Sequence, residues 1–275
     1  MGQSATEPPV AQVRDDGSAD MVATSRSMEP SGEGPDAVLH EPLSRGTLYR
    51  ELPSRSRARA FLVSGAVLLA LGGVLAVIVG VLEAGVDASD RPVGVWFHNL
   101  AAANGALRSF GFDFQLIGSG KVTAPVAAVT VIVLLILRHR RWALWFAIVS
   151  VGGLLISQIL KMSIARERPT WPNPFETESE FSFPSGHTIS GVTTWVALGV
   201  VLLFIVPRPW STFTGWVCII VGLLMAPSRL LLGVHWVTDV LGGWLFGFGW
   251  LLLVSGLFIR KLATTEGAAK VPDDS

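Results

Sequence analysis

Residues 240–259 read VLGGWLFGFGWLLLVSGLFI, an uncharged run bounded by Asp239 and Arg260. About 20 apolar residues in a helix cross the ~30 Å hydrocarbon layer of a bilayer. Five further uncharged stretches precede it: Ala60 to Leu82, Val122 to Leu137, Ala143 to Leu160, Thr188 to Val206 and Trp210 to Pro227. The second is short, and either lengthens toward Gln115 or is extended by snorkelling from Lys121 and Arg138. Six such runs as buried helices of a soluble protein would leave too little polar surface to cover them. The reading is an all-α fold, a bundle of six transmembrane helices.

The 275 residues carry 21 Lys plus Arg against 21 Asp plus Glu. That balance leaves no whole-chain basic field, so a nucleic-acid partner is not expected. The lone cysteine, Cys218, excludes an internal disulfide and a cysteine-rich zinc site. Residues 1–59 hold 16 of the 42 charges amid Ser, Pro and Gly, which predicts a disordered tail without a signal peptide. The expected organisation is therefore a cytoplasmic tail over 1–59, a membrane domain over 60–260 and a short cytoplasmic tail over 261–275.

Basic residues set the orientation. Arg50, Arg55, Arg57 and Arg59 precede helix 1, Arg138, Arg140 and Arg141 separate helices 2 and 3, Arg208 separates 4 and 5, and Arg260 and Lys261 follow 6. Under the positive-inside rule this side is cytoplasmic, with both termini inside. In the long 1–2 connection, residues 93–110 have the spacing of a helix lying on the outer interface, with a polar loop as the alternative. Helix 6 carries Gly243 and Gly247 at G-x-x-x-G spacing, suited to close packing within the bundle or to a dimer; oligomeric state is unspecified.

The polar residues near the outer helix ends are unusual. Lys161 closes helix 3, and Arg168 follows seven positions later, close to the same helical face, although Pro169 favours an end to the helix there. The pair is either convergent or two snorkelling cations. Pro184-Ser185-Gly186-His187 reads as a helix start: Pro184 fits the first turn, and the amides of Ser185, Gly186 and His187 point outward for an anion. Ser185 is either a ligand or the cap itself, and His187 a site or an interface residue. His235 and Asp239 stand four apart, so on a helix the carboxylate orients the imidazole. A carboxylate entering an apolar segment is costly and marks a functional site by default.

Lys161, Arg168, Arg229 and the amides around Gly186 suit the equatorial oxygens of a transferring phosphoryl group without a metal. Histidines can then divide the covalent and proton-transfer work. The segments K-x6-R-P (Lys161 to Pro169), P-S-G-H (Pro184 to His187) and S-R-x5-H-x3-D (Ser228 to Asp239) resemble the three signature motifs of the type 2 phosphatidic acid phosphatase and haloperoxidase superfamily, matched at every motif position. The resemblance covers roughly residues 60–260 and not the tail. It implies Lys161, Arg168, Ser185, Gly186 and Arg229 as phosphate ligands, His187 as general acid and base, and His235 with Asp239 as the nucleophile pair. It further implies a phosphohistidine intermediate and no metal or other cofactor.

The expected activity is hydrolysis of a lipid phosphate or diphosphate at the extracytoplasmic end of a bundle in the cytoplasmic membrane. Phosphatidic acid, phosphatidylglycerol phosphate and undecaprenyl diphosphate are the candidate substrates. Alternatives are a lipid phosphotransferase using the same phosphohistidine, a haloperoxidase, and a non-catalytic membrane protein of this fold. The 3–4 connection, with Glu176, Glu178 and Glu180 among aromatics, is either a lid or a solvated loop.

Overall fold

The computed structural model describes residues 55–207 and 210–268. Most of the expected N-terminal tail, Arg208 and residues 269–275 lie outside them. The described residues form helices and connections with no strand: α1 (Arg55–Val81), α2 (Glu83–Ala103), α3 (Gly105–Gly118), α4 (Gly120–Ile136), α5 (Arg140–Ile164), α6 (Gly186–Ile205), α7 (Trp210–Leu231) and α8 (Val237–Ala268). Helices α1, α5, α6, α7 and α8 are each long and apolar enough to cross a membrane, and the α3–α4 pair adds a sixth, broken span bent by 47°. Large apolar side chains such as Val67, Val74, Leu144, Leu155, Phe213 and Ile220 stay exposed on the outer faces, as a lipid-facing surface requires.

The boundaries differ from the expectation in three places. Helix α1 already begins at Arg55 and α8 runs on to Ala268, so residues 55–59 and 261–268 are helical. The short second run is completed by α3, which meets α4 at Ser119. The helix expected over 93–110 is broken at Asn104, whose Oδ1 accepts the amides of Ala106 and Leu107 at 3.0 and 3.2 Å. An asparagine cap starts a new helix because it satisfies amides that have no intrahelical partner.

Glycines let the helices approach. Helix α1 lies against α8 where Gly65 faces Leu253 and where Gly249 and Gly256 face Leu69 and Leu62. Gly243 and Gly247 face Thr188 and Val192 of α6, so their spacing serves packing inside the bundle. Helices α6 and α7 meet backbone to backbone: a Cβ on Gly222 would stand 2.3 Å from the Gly191 carbonyl oxygen, and one on Gly199 2.6 Å from that of Gly215. Over Gly191–Val196 helix α6 takes a wider π turn, and the Thr193 carbonyl there accepts Ser150 Oγ of α5 at 3.0 Å. Gly222→Val is therefore expected to force α6 from α7 and lower stability by about 1–3 kcal/mol, read as a lower unfolding midpoint in detergent. Gly73→Val, whose Cβ meets nothing within 4 Å, should leave the midpoint unchanged.

Candidate active site

Four helix ends meet at one end of the bundle. They are the C-termini of α5 and α7, carrying Lys161 and Arg229, and the N-termini of α6 and α8, carrying His187 and Asp239. The motif residues come together here, though not quite as their spacing suggests. Helix α5 stops at Ile164, with Ala165 left-handed at φ 52°, so Lys161 and Arg168 do not share a helix face. Arg168 reaches the site from the following connection, where its Nη1 donates to the Val234 carbonyl at 2.7 Å. Pro184 precedes the cap instead of occupying the first turn. The Ser185 amide is not free for an anion, because it donates to the Asp239 carbonyl at 3.0 Å. Its buried hydroxyl accepts from Thr188 Oγ1. Gly186, not Ser185, lines the cavity beside Lys161 and His187.

Asp239 is fully buried and holds His235 in one orientation. Its Oδ2 accepts from Ser182 Oγ, from the Trp236 amide at 2.8 Å and from His235 Nδ1 at 3.3 Å, while Oδ1 accepts Arg166 Nη1 at 2.6 Å. On the other side of the ring, Arg168 Nη1 stands 3.1 Å from His235 Nε2. A guanidinium only donates, so Nε2 accepts, the ring proton sits on Nδ1, and the Nε2 lone pair faces the cations. Burial, with Arg168 and Arg229 nearby, pushes the His235 pKa well below the usual histidine value. The ring is therefore neutral and nucleophilic at neutral pH.

Four contributors carry no motif signal. Arg166, 0% exposed, pairs with Asp239, with Asp87 through Nη2 at 2.5 Å and with Asp90 at 3.0 Å, and donates to Thr238 Oγ1 at 2.7 Å. Burial alone would lower its pKa, but Asp239, Asp87 and Asp90 outweigh that and raise it, so the charge is permanent. Ser182 binds Asp239. Helix α3 supplies a wall, since His187 Nε2 donates to the Gln115 carbonyl at 3.1 Å and a Cβ on Gly118 would stand 2.6 Å from the His187 ring. Glutamates of the 3–4 connection enter the site: Glu178 bridges Arg168 (2.7 Å) and Arg229, and Glu180 pairs with Lys161 at 2.5 Å. The advance signals were Arg166 two positions before Arg168, Asp87 and Asp90 three apart on one helix face, and the glutamates of the 3–4 connection, read as a lid or a solvated loop.

The cavity measures about 1080 Å³. Its polar end is lined by Lys161, Gly186, His187, His235 and Ser157. Its flank is apolar, with Ala124, Ala127, Val131 and Ile132 of α4 facing Ala147, Val151 and Leu154 of α5. Ser157 Oγ at the polar end, and Nε and Nη1 of Arg229, whose Nη2 is held by Glu178, are buried and find no partner among the described residues. Buried donors are normally paired, so these mark where an anion's oxygens fit. Among the described residues no group of three or more His, Cys, Asp or Glu is arranged to hold a metal ion.

The sequence model of the PAP2 superfamily matches residues 140–262, from α5 into α8, and so takes in every motif segment. Phosphatidylglycerophosphatase B of Bacillus subtilis is 40% identical over 105 residues, 37% of this chain and 51% of that protein. Undecaprenyl-diphosphatase of Sulfolobus acidocaldarius is 31% identical over 132 residues, 46% of this chain and 60% of that one. The match thus spans about half to three fifths of the length of these curated relatives. Among solved structures, a transmembrane PAP2-type phosphatidylglycerolphosphate phosphatase from Bacillus subtilis superposes with a TM-score of 0.60 at 24% identity, covering 74% of this chain and 96% of that one. The fold is thereby that of a multi-pass membrane protein.

Proposed function

We propose that the chain, whose residues 140–262 match the PAP2 superfamily model, is a lipid phosphate phosphatase working through a phosphohistidine. The observation that carries this reading is His235 held between Asp239 and Arg168, its Nε2 lone pair facing a cluster of cations with unfilled donors. The oxygens of a lipid phosphate lie among Lys161, Arg168, Arg229 and the Gly186 amide, which offset the charge of the transferring phosphoryl group. His235 Nε2 attacks phosphorus, and the phosphorus–oxygen bond to the lipid breaks. His187, doubly protonated once the anionic phosphate is seated beside it, turns from the Gln115 carbonyl and gives its Nε2 proton to the leaving oxygen; now neutral, it takes a proton from water, whose oxygen attacks the phosphohistidine. The phosphorus–nitrogen bond then breaks, releasing phosphate and restoring both rings.

The apolar flank between α4 and α5 suits an acyl or prenyl chain whose head group enters the polar end. Phosphatidic acid, phosphatidylglycerol phosphate and undecaprenyl diphosphate all meet that description. Arg57 and Arg59, Arg138 to Arg141, and Arg260 with Lys261 gather at the end of the bundle opposite the site. With basic ends inside, the site opens on the outer face of the cytoplasmic membrane. The test is phosphate release by the purified protein in detergent with excess EDTA, across these three lipids, with and without orthovanadate. Release from at least one lipid, unaffected by EDTA and inhibited by the five-coordinate phosphorus mimic, is expected. No release from any of them, or insensitivity to vanadate, would sink the proposal.

A further inference from the structure

We propose that Glu178 and Glu180, seated on Arg168, Arg229 and Lys161, form a carboxylate gate that admits phosphomonoesters and diphosphates and refuses the phosphodiester head groups of the surrounding bilayer. This rests on the phosphatase reading and extends it to what the site excludes. Each of the three cations assembled by the motif segments is met by a carboxylate from one connection: Glu178 on Arg168 and Arg229, Glu180 on Lys161. Two negative charges thus stand against three positive ones before any ligand arrives.

The gate is hinged on side chains. Its near end is tied down by Trp171, whose Nε1 donates to the Gly233 carbonyl at 2.7 Å and whose ring stacks on His98 at 4.6 Å. Phe175 stacks on the same imidazole at 4.4 Å. At the far end Arg168 Nε holds the Glu180 carbonyl, and the Ser182 amide donates to the Arg166 carbonyl. The Glu180 side chain is 64% exposed and that of Glu178 22%, so both carboxylates can turn outward while the backbone stays anchored. Burial alone would raise the Glu178 carboxyl, but Arg229 and Arg168 outweigh it and hold it down at about 2. The gate therefore stays charged throughout the neutral range.

Opening requires a ligand that replaces what it displaces. A phosphomonoester brings a charge of about −1.5 to −2 at pH 7 and three terminal oxygens, enough to replace the two carboxylates it displaces and fill the empty donors of Arg229. A phosphodiester brings one charge, leaving buried cations uncompensated, which is strongly unfavourable. Such lipids surround the site in large excess, and specificity against a competitor is gained by building in a repulsive element.

The experiment is a ³¹P NMR titration of the full chain in detergent with inorganic phosphate and with dimethyl phosphate, for wild type, Glu178→Gln and Glu180→Gln. Wild type should bind phosphate and not dimethyl phosphate. Glu178→Gln should bind phosphate about tenfold tighter, the scale of one charge-assisted contact no longer displaced, and should now bind dimethyl phosphate. Glu180→Gln, a change at an exposed side chain, should shift both in the same direction by less and covers a folding failure of the first variant. Wild-type selectivity in both variants, with phosphate still bound, overturns the gate and leaves the phosphate site standing. No phosphate binding by wild type overturns the phosphate site itself, and the gate with it.

Discussion

Asp239→Asn is expected to lower turnover about 10⁴-fold, the scale seen when an orienting carboxylate is lost from a histidine, while binding of a phosphate analogue stays near wild type. The carboxylate accepts from four donors, three at Oδ2 and Arg166 at Oδ1. An amide offers one oxygen, so its NH₂ must face either Arg166 or the group made by Ser182, Trp236 and His235. In the second arrangement His235 must accept at Nδ1, the ring proton moves to Nε2, and the nucleophilic lone pair is gone. His235→Ala removes the nucleophile outright and should cost on the order of 10⁵-fold or more, with no phosphoenzyme trapped from labelled substrate. Pre-steady-state turnover and acid-quench trapping read both, and Asp239→Asn turning over at the wild-type rate would take the carboxylate out of the mechanism.

Arg166→Met is expected to be the most destabilising single change in the site. It leaves the buried Asp90 and Asp239 and the half-buried Asp87 facing one another with no cation between them, and breaking a buried ion pair from one side costs about 3–5 kcal/mol. Arg166→Lys should recover little, because one ammonium cannot reach three carboxylates and Thr238 in the geometry of a guanidinium. Arg166→Met combined with Asp87→Asn and Asp90→Asn should recover part of the unfolding midpoint in detergent, since the repulsion is then removed. Recovery absent in the triple variant would show that Arg166 acts through packing on Trp236, 5.6 Å from its ring centroid, instead of through charge.

The six spans were legible because the bilayer imposes one length on any helix that crosses it, and runs such as 240–259 meet that length without tertiary help. Their ends were less so. Asn104 carried a cap signal that the regular apolar spacing of 93–110 obscured, and Ser119 breaks the span where the short run from Val122 lengthens toward Gln115. Lys161, Arg168, Gly186, Arg229, His187, His235 and Asp239 stood out because charged or catalytic types at helix mouths are conspicuous in so apolar a chain.

What the sequence by itself determined is the all-α membrane architecture and the identity of the polar groups at one end of the bundle, since both follow from local composition and short spacings. The tertiary structure alone decided which of those groups touch. Arg166 reaches Asp87 and Asp90 across more than seventy positions of chain, the Ser185 amide turns to Asp239, Gly118 and Gln115 wall in His187, and Glu178 sits on two arginines that only the fold brings together. Such contacts depend on how helix ends and connections meet in space. Coulomb attraction and the need to pair every buried donor select among the arrangements that packing allows, and neither leaves a period or a spacing in the chain.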